Sequence, residues 1–483
     1  EGIPYGISEL VTSEMVNPVA ALEVNQGFGW SDKVVGNFYG EVEFLEDFKF
    51  RSSIGTDLAF WGGEGFSPIF YLNTTNLNDT TEYRREQNRG IYWIWENTLS
   101  YEKQLGDHTI NAVVGTVAER NSGQGINGTV RNIPVDNIDD ASLGFFTEAD
   151  DQTFGGFEYL STNASYLARL NYNFKEKYLF SALLRRDGSS RFGTNYKFGN
   201  FPSVSAGWIV SDENFLLNNR VVNFLKVRAS WGVNGNDRIN DFLYVSTVGG
   251  GRNYTFGLDD NLINGVSPNA LSNPDLRWEE TTQTNFGFDA KLFRNISLTF
   301  DLYEKRTDDM LLAIDVPSYV GNGGPTGNIA SLVNRGMELE LGYTGKVCGV
   351  EFEFRGNLSY AENEITNLGA DKEFLTGQRF SPQGLEITRT TLNQPIGHFF
   401  DYRTDGLFQN EAEVNAHVNP DGSLLQPEAS PGDIRFVDFN EDGVINADDR
   451  TIIGDPTPTW TYGFNFVAAW KGFDLVLFAQ GVA

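Results

Sequence analysis

Residues Asn295 to Glu304 read N-I-S-L-T-F-D-L-Y-E, so that Ile296, Leu298, Phe300 and Leu302 fall on one side of an extended chain and Ser297, Thr299, Asp301 and Tyr303 on the other. Apolar residues at every second position are the mark of a half-buried strand, because successive side chains of a strand point to opposite faces. The pattern spreads in both directions. Met337, Leu339, Leu341 and Tyr343 alternate with Glu338, Glu340, Gly342 and Thr344; Val350, Phe352, Phe354, Leu358 and Tyr360 alternate with Glu351, Glu353, Arg355, Asn357 and Ser359. Further out, Phe38, Val42 and Phe44 oppose Asn37, Glu41 and Glu43, and Tyr166, Ala168, Leu170 and Tyr172 oppose Arg169, Asn171 and Asn173. Leu225, Val227, Ala229 and Trp231 oppose Lys226, Arg228 and Ser230, and Trp460, Tyr462, Phe464 and Phe466 oppose Thr461, Gly463 and Asn465.

This template predicts roughly fourteen strands of about ten to fifteen residues each, against a mode of about five to six in soluble sheets. Very short turns join them in pairs at Leu45-Glu46-Asp47, Gln104 to Asp107, Lys175-Glu176, Arg294-Asn295, Gly345 to Gly349 and Lys471-Gly472. Long loops are predicted between the pairs, at Trp61 to Gly90, Asn121 to Thr162, Asn234 to Glu280, Thr307 to Ser331 and Asn363 to Thr457. Such inequality between the two ends is the signature of an antiparallel transmembrane up-and-down β-barrel, with periplasmic turns and large extracellular loops. Phe44, Phe48, Phe174, Tyr178, Phe293, Tyr343, Trp470 and Phe473 crowd the short-turn end, where a membrane-water interface selects aromatic rings. A soluble β-sandwich also shows alternation and turn aromatics, but its strands are shorter and its loops more even. In a barrel, Glu338, Glu340, Glu351, Glu353 and Arg355 are expected to face a wet lumen.

Composition agrees with a folded, acidic chain. Its 483 residues carry 36 Lys+Arg against 65 Asp+Glu, a formal net charge of −29. No basic stripe is present, which excludes nucleic acid as a partner. A 40% hydrophobic fraction with 21% charged residues excludes wholesale disorder. The single cysteine, Cys348, excludes an internal disulfide and any thiolate metal cluster. No apolar run reaches the roughly eighteen residues of a membrane-spanning helix, a criterion that barrel strands escape. The chain opens at Glu1 without a signal-like n-region and stops at Ala483 within an apolar alternation, and is read as a piece of something longer.

One motif carries specific chemistry. Asp438 to Asp449 reads D-F-N-E-D-G-V-I-N-A-D-D, with side-chain oxygens from Asp438, Asn440, Asp442, Asn446 and Asp449 at loop positions 1, 3, 5, 9 and 12, Gly443 at the sharp turn and the Val444 carbonyl at position 7. That spacing predicts an EF-hand-like Ca²⁺ loop; the alternative is an Asx-rich turn. His108, His398 and His417 have no partner at ligand or triad spacing and are expected as surface or strand residues. The glycine-rich stretch Gly321 to Gly327 precedes no helix and is read as a loop. Trp61, Phe66, Phe70 and Tyr71, in a predicted external loop, either stack on a sugar or peptide or pack within the loop. No catalytic constellation stands out, so an enzyme is not expected.

Several longer strings resemble one family. Arg186-Asp187-Gly188-Ser189-Ser190-Arg191-Phe192-Gly193, Arg228-Ala229-Ser230-Trp231-Gly232, Asn273-Pro274-Asp275-Leu276-Arg277-Trp278-Glu279, Asn334-Arg335-Gly336-Met337-Glu338-Leu339, Pro431-Gly432-Asp433-Ile434 and Thr451-Ile452-Ile453-Gly454 resemble the SusC/RagA-type TonB-dependent transporters of Bacteroidetes outer membranes. The resemblance implies a 22-stranded barrel with an N-terminal plug, here represented by roughly fourteen strands without the plug. It implies active import of oligosaccharides or peptides through the Gram-negative outer membrane, with a SusD-like surface lipoprotein and energy from TonB-ExbB-ExbD. A passive porin and a secreted carbohydrate-binding or adhesive β-protein are the alternative readings.

Overall fold

The computed structural model describes residues 17–72, 76–145, 148–257, 261–268, 271–314, 316–321, 323–369, 372–379 and 384–483. The start of the chain at Glu1 and Asn322 of the glycine-rich stretch lie outside them. Fourteen antiparallel strands form one sheet in strict chain order, each pairing with the strand before and after it. They are β1 (Gln26–Phe44), β2 (Phe48–Ser67), β3 (Glu82–Leu105), β4 (His108–Arg131), β5 (Gln152–Phe174), β6 (Tyr178–Ser189), β7 (Phe198–Ile209), β8 (Val222–Asn236), β9 (Glu279–Leu292), β10 (Ile296–Ala313), β11 (Thr326–Val347), β12 (Val350–Asn367), β13 (Trp460–Trp470) and β14 (Phe473–Val482). Among the described residues β1 pairs only with β2 and β14 only with β13. No helix of the described residues is long and apolar enough to cross a membrane, which leaves a strand-built span untouched.

Register turns the sequence alternation into two continuous surfaces. One row of partners runs Val227, Phe288, Phe300, Leu339, Leu358, Tyr462 across β8 to β13, all apolar or aromatic. The adjacent row, one residue along, runs Arg228, Gly287, Asp301, Glu338, Ser359, Thr461 and belongs to the other face. Because the side-chain period is two, a slip of a single residue would exchange these rows, so the apolar face holds the register of the whole wall. The expected lumen residues Glu338, Glu340, Glu351, Glu353 and Arg355 all fall on the polar face.

The short-turn end is tight for a backbone reason. Cys348-Gly349 and Lys471-Gly472 are two-residue connections with φ of +51°, +82°, +47° and +91°, the left-handed values of turns whose twist matches that of the flanking strands. Above these turns part of the expected aromatic girdle packs in two clusters: Phe44 lies 5.7 Å from Phe48 and Phe48 4.8 Å from Tyr101, while Phe174 lies 6.1 Å from Tyr178 and Tyr178 6.5 Å from Trp208. The β7–β8 connection, residues 210–221, is longer than the other periplasmic turns. It returns Glu213 under the girdle, where the Tyr178 hydroxyl (2.6 Å) and the Trp208 indole N–H (3.2 Å) both donate to it and hold its carboxyl below the usual range.

Two expectations are corrected. Strands reach 24 residues in β3 and β4 rather than ten to fifteen. Consequently three predicted loops shrink: Trp61 to Gly90 becomes 68–81, Asn121 to Thr162 becomes 132–151, and Thr307 to Ser331 becomes 314–325. Above the apolar band both faces of the wall meet water, so the backbone ladder continues while the hydropathy alternation that betrays a strand fades. The excursions 237–278 and 368–459 keep their expected size.

Candidate functional site

Three regions of the polar face and the long-loop end concentrate chemistry. On the wall, Arg228 of β8 donates to both oxygens of Asp301 on β10 (2.6 and 2.6 Å) and to Asp289 (3.2 Å). The strand between them carries Gly287 at the crossing point, where an added Cβ would stand 2.7 Å from Asp301 Oδ1 and 3.0 Å from Arg228 Cζ. Glycine is thus what lets a guanidinium bridge two strands across a third. Next to it, a hollow of about 450 Å³ is lined by apolar groups such as Leu179 and Phe180 together with Asn111, Asn171, Lys226 and Asn285.

At the long-loop end the family-like strings meet each other. Phe192, Phe201, Leu276 and Trp278 form a buried cluster, with Phe192 5.1 Å and Phe201 5.3 Å from Trp278. Arg191 bonds Asp241 (3.2 Å) and the Asp237 carbonyl (3.2 Å), while Arg277 forms a bidentate pair with Asp309 (2.9 and 2.7 Å). These strings are therefore clamps that fix the loop 237–278 onto the wall. Phe66 likewise packs away: it lies in one register row with Tyr83 and Val130 and is covered by Ile133, so of the four aromatic candidates it belongs to loop packing. Trp61 stands on β2 and not in a loop. Phe70 and Tyr71 form a short strand paired with Leu77–Asn78.

The excursion 368–459 has its own small sheet, built from Phe374–Thr376, Thr388–Thr391, His398–Tyr402 and Arg450–Gly454. Its hub is Arg450, whose side chain is 4% exposed. Arg450 donates to the carbonyls of Phe400 (2.9 Å) and Glu386 and faces the Glu386 carboxylate at 3.6 Å. Arg389 also pairs with Glu386 and lies between the rings of Phe374 (3.9 Å) and Phe400 (3.6 Å). The Arg389 guanidinium, helped by Arg450, holds the Glu386 carboxyl below the usual carboxylate range. His398 is buried in the same sheet against the Pro395 carbonyl (3.1 Å) and Thr391; His417 rests against Phe408, and His108 is a wall residue beside Tyr172.

The loop that leads into Arg450 is the predicted calcium segment. Asp438 accepts the Gly443 N–H (2.8 Å) and the Asp442 N–H (3.2 Å), Asn440 accepts Asp442 N–H (3.0 Å), and Asp442 accepts Val444 N–H (2.9 Å). Gly443 sits at φ +87°. Asn446 caps the turn Ala447–Asp449 by accepting the Asp448 N–H (2.8 Å). Asp449 is fully buried and accepts N–H groups of Phe439 (2.8 Å), Asn440 (3.4 Å) and Asn446 (2.7 Å). Burial pushes its carboxyl up, but those N–H donors outweigh burial and hold it below the usual range. The loop is thus wound, with Asp449 as its clasp; among the described residues, no three Asp, Glu, His or Cys side chains converge as around a metal ion.

A family model described as "TonB dependent receptor-like, beta-barrel" matches residues 16–480. The chain is 31% identical over 503 residues to TonB-dependent receptor P39 of Formosa agariphila, covering 95% of this chain and 45% of that protein. It is 30% identical over 481 residues to TonB-dependent receptor SusC of Bacteroides thetaiotaomicron, covering 95% and 44%. The solved RagAB peptide transporter shares its fold with a TM-score of 0.79 at 22% identity, over 96% of this chain and 49% of that one. The chain therefore belongs to the TonB-dependent receptor β-barrel family and is an outer-membrane protein, similar in sequence to SusC and in fold to the RagAB transporter. It spans about half the length of the curated relatives it matches.

The Arg450 hub yields a pH prediction. Glu386 and Asp449 have folded pKa values below their unfolded ones, so their stabilisation is present above the unfolded values, about 4.3 and 3.9, and is lost as pH falls through the folded values. Hydrogen exchange in the segments 386–402 and 450–454 is expected to accelerate below about pH 4 while β10 to β12 stay protected. Glu386→Gln should produce the same loosening at neutral pH, since removing one partner of a buried pair costs about 3–5 kcal/mol.

Proposed function

We propose that the complete protein imports oligosaccharides or peptides across the outer membrane, working with a SusD-like surface lipoprotein and drawing energy through TonB-ExbB-ExbD. Family membership carries this reading, and the polar, charged inner wall with its clamped long loops is the architecture such a role requires. The porin alternative has no comparable support, because neither the 237–278 clamp nor the 368–459 excursion is needed for passive flow. The lipoprotein docks on the 368–459 excursion. Within it, Thr404 pairs with Phe436, so the lobe between them leaves and returns at one point. Replacing residues 405–435 by a short glycine-serine linker in the full-length protein is expected to abolish co-purification of the lipoprotein while heat-modifiable barrel migration persists. Uptake should fail both in this variant and in cells lacking TonB. TonB-independent uptake would favour a porin, and retained co-purification would move the docking site.

A structural calcium ion in the 438–449 loop is the second part of the reading, with Asp438, Asn440, Asp442, Asn446 and the Val444 carbonyl as ligands and Asp449 at the closing position. The spacing of these oxygens, with Gly443 at φ +87° at the sharp turn, supports it. A cation would draw the Asp438 and Asp442 carboxylates together against their repulsion and stabilise the native form by mass action. Calcium at millimolar concentration is expected to raise the melting temperature of the full-length protein relative to chelator, and Asp442→Ala should remove most of that rise. An equal rise in the variant would defeat the assignment.

A further inference from the structure

The rule that holds the wall together inverts near its upper rim. In the row Phe60, Arg89, Gln124, Glu158, which belongs to the outer face of β2 to β5, three of four residues are polar or charged. The neighbouring inner row is Trp61, Asn88, Gly125, Phe157, and the next inner row is Ala59, Gly90, Gly123, Tyr159. Here Trp61, Phe157 and Tyr159 stand on the inner face, and Arg89 and Glu158 on the outer one beside the single ring of Phe60. Tyr159 stands fifteen positions above Phe174 at the periplasmic end of β5 (174 − 159). At about 3.3 Å per residue and a tilt of about 40°, that is roughly 35–40 Å up, beyond an apolar band of about 25 Å. Lipid therefore explains none of these three rows.

The glycines explain how the rings are held. A Cβ on Gly123 would lie 2.5 Å from the Tyr159 ring, one on Gly125 2.5 Å from the Phe157 ring, and one on Gly90 3.2 Å from Trp61 and 3.3 Å from the Tyr159 hydroxyl. All three rings thus lean sideways onto bare backbone instead of standing up into the lumen. Phe157 and Tyr159 are nearly parallel, 7° apart with centroids separated by 6.2 Å. The result is a ledge laid against the inner wall. Amides and a carboxylate border it: Asn88 reaches over Gly125, and one row below, the Tyr92 hydroxyl bonds to Glu119.

We infer that this ledge, formed by Trp61, Phe157 and Tyr159 over Gly90, Gly123 and Gly125, is a stacking subsite for the pyranose rings of a neutral oligosaccharide. A flat aromatic face carries partial negative charge and takes the polarised C–H face of a sugar ring, while neighbouring amide and carboxylate groups take its hydroxyls. A peptide would instead call for unpaired backbone groups or charge, and in the ladder of β2 to β5 the backbone is already paired. Aromatic area open to a wet lumen is costly until something covers it. The inference rests on the import reading and chooses among its substrates.

The test uses the purified full-length protein in detergent, titrated calorimetrically with neutral hexasaccharides of α-1,4-glucan, β-1,3-glucan, β-1,4-mannan and β-1,4-xylan, and with a pool of hexapeptides. At least one hexasaccharide is expected to bind. Its affinity should fall about tenfold or more in Trp61→Ala and in Tyr159→Ala and stay unchanged in Phe60→Ala, which alters the outer face of the same level. All variants must retain heat-modifiable migration. Failure of every hexasaccharide to bind at millimolar concentration, or sugar affinity indifferent to both ledge substitutions, overturns the subsite. Binding of the peptides alone overturns it while leaving the import reading standing; TonB-independent uptake by the full-length protein would instead remove the import reading itself.

Discussion

Everything in this chain depends on one demand: inside a bilayer each backbone N–H and C=O must find its partner in the neighbouring strand, because no water is there to take its place. A sequential antiparallel ladder meets that demand for β2 to β13. The side chains only have to decide which way the ladder faces, and the row from Val227 to Tyr462 decides it. A cationic residue turned to lipid at mid-depth would cost about 2–4 kcal/mol. Arg228 and Asp301 therefore sit on the other face.

Glycine is the second device. A wall with a side chain at every position would keep strands from sharing groups across an intervening one. Gly287 opens the way for Arg228 to reach Asp301, and Gly90, Gly123 and Gly125 let Trp61, Tyr159 and Phe157 lie down. The same omission of a Cβ thus serves an ion pair low in the wall and an aromatic ledge near its mouth. Above the wall, fixation passes to arginine: Arg191, Arg277, Arg389 and Arg450 each tie a loop to a carboxylate, giving the long excursions defined shapes despite their length.

Much of this was legible in the residues, and the exceptions have physical causes. Strand number, turn positions and the girdle follow from Ile296-Ser297-Leu298 and its neighbours, since lipid on one side and water on the other write themselves into every second residue. The upper parts of β2 to β5 did not announce themselves, because Gly62, Gly63, Asn121 and Gly123 interrupt the apolar alternation that marks the strands lower down. Arg450 was silent as well: its partners Glu386 and Phe400 lie 64 and 50 positions away. The Asp438 to Asp449 spacing was plain. The role of Asp449 as a main-chain clasp was not, since spacing does not say whether a carboxylate turns toward a cation or toward the loop's own N–H groups.

The central claim is that a two-residue period separates lipid from lumen along this wall. Spin labels placed singly at positions 296 to 303 of the full-length protein in liposomes would read it through collisions with oxygen, which concentrates in lipid, and with a water-soluble nickel chelate. Oxygen accessibility is expected to peak at 296, 298, 300 and 302 and chelate accessibility at 297, 299, 301 and 303. Two profiles rising and falling together along the segment would contradict the account.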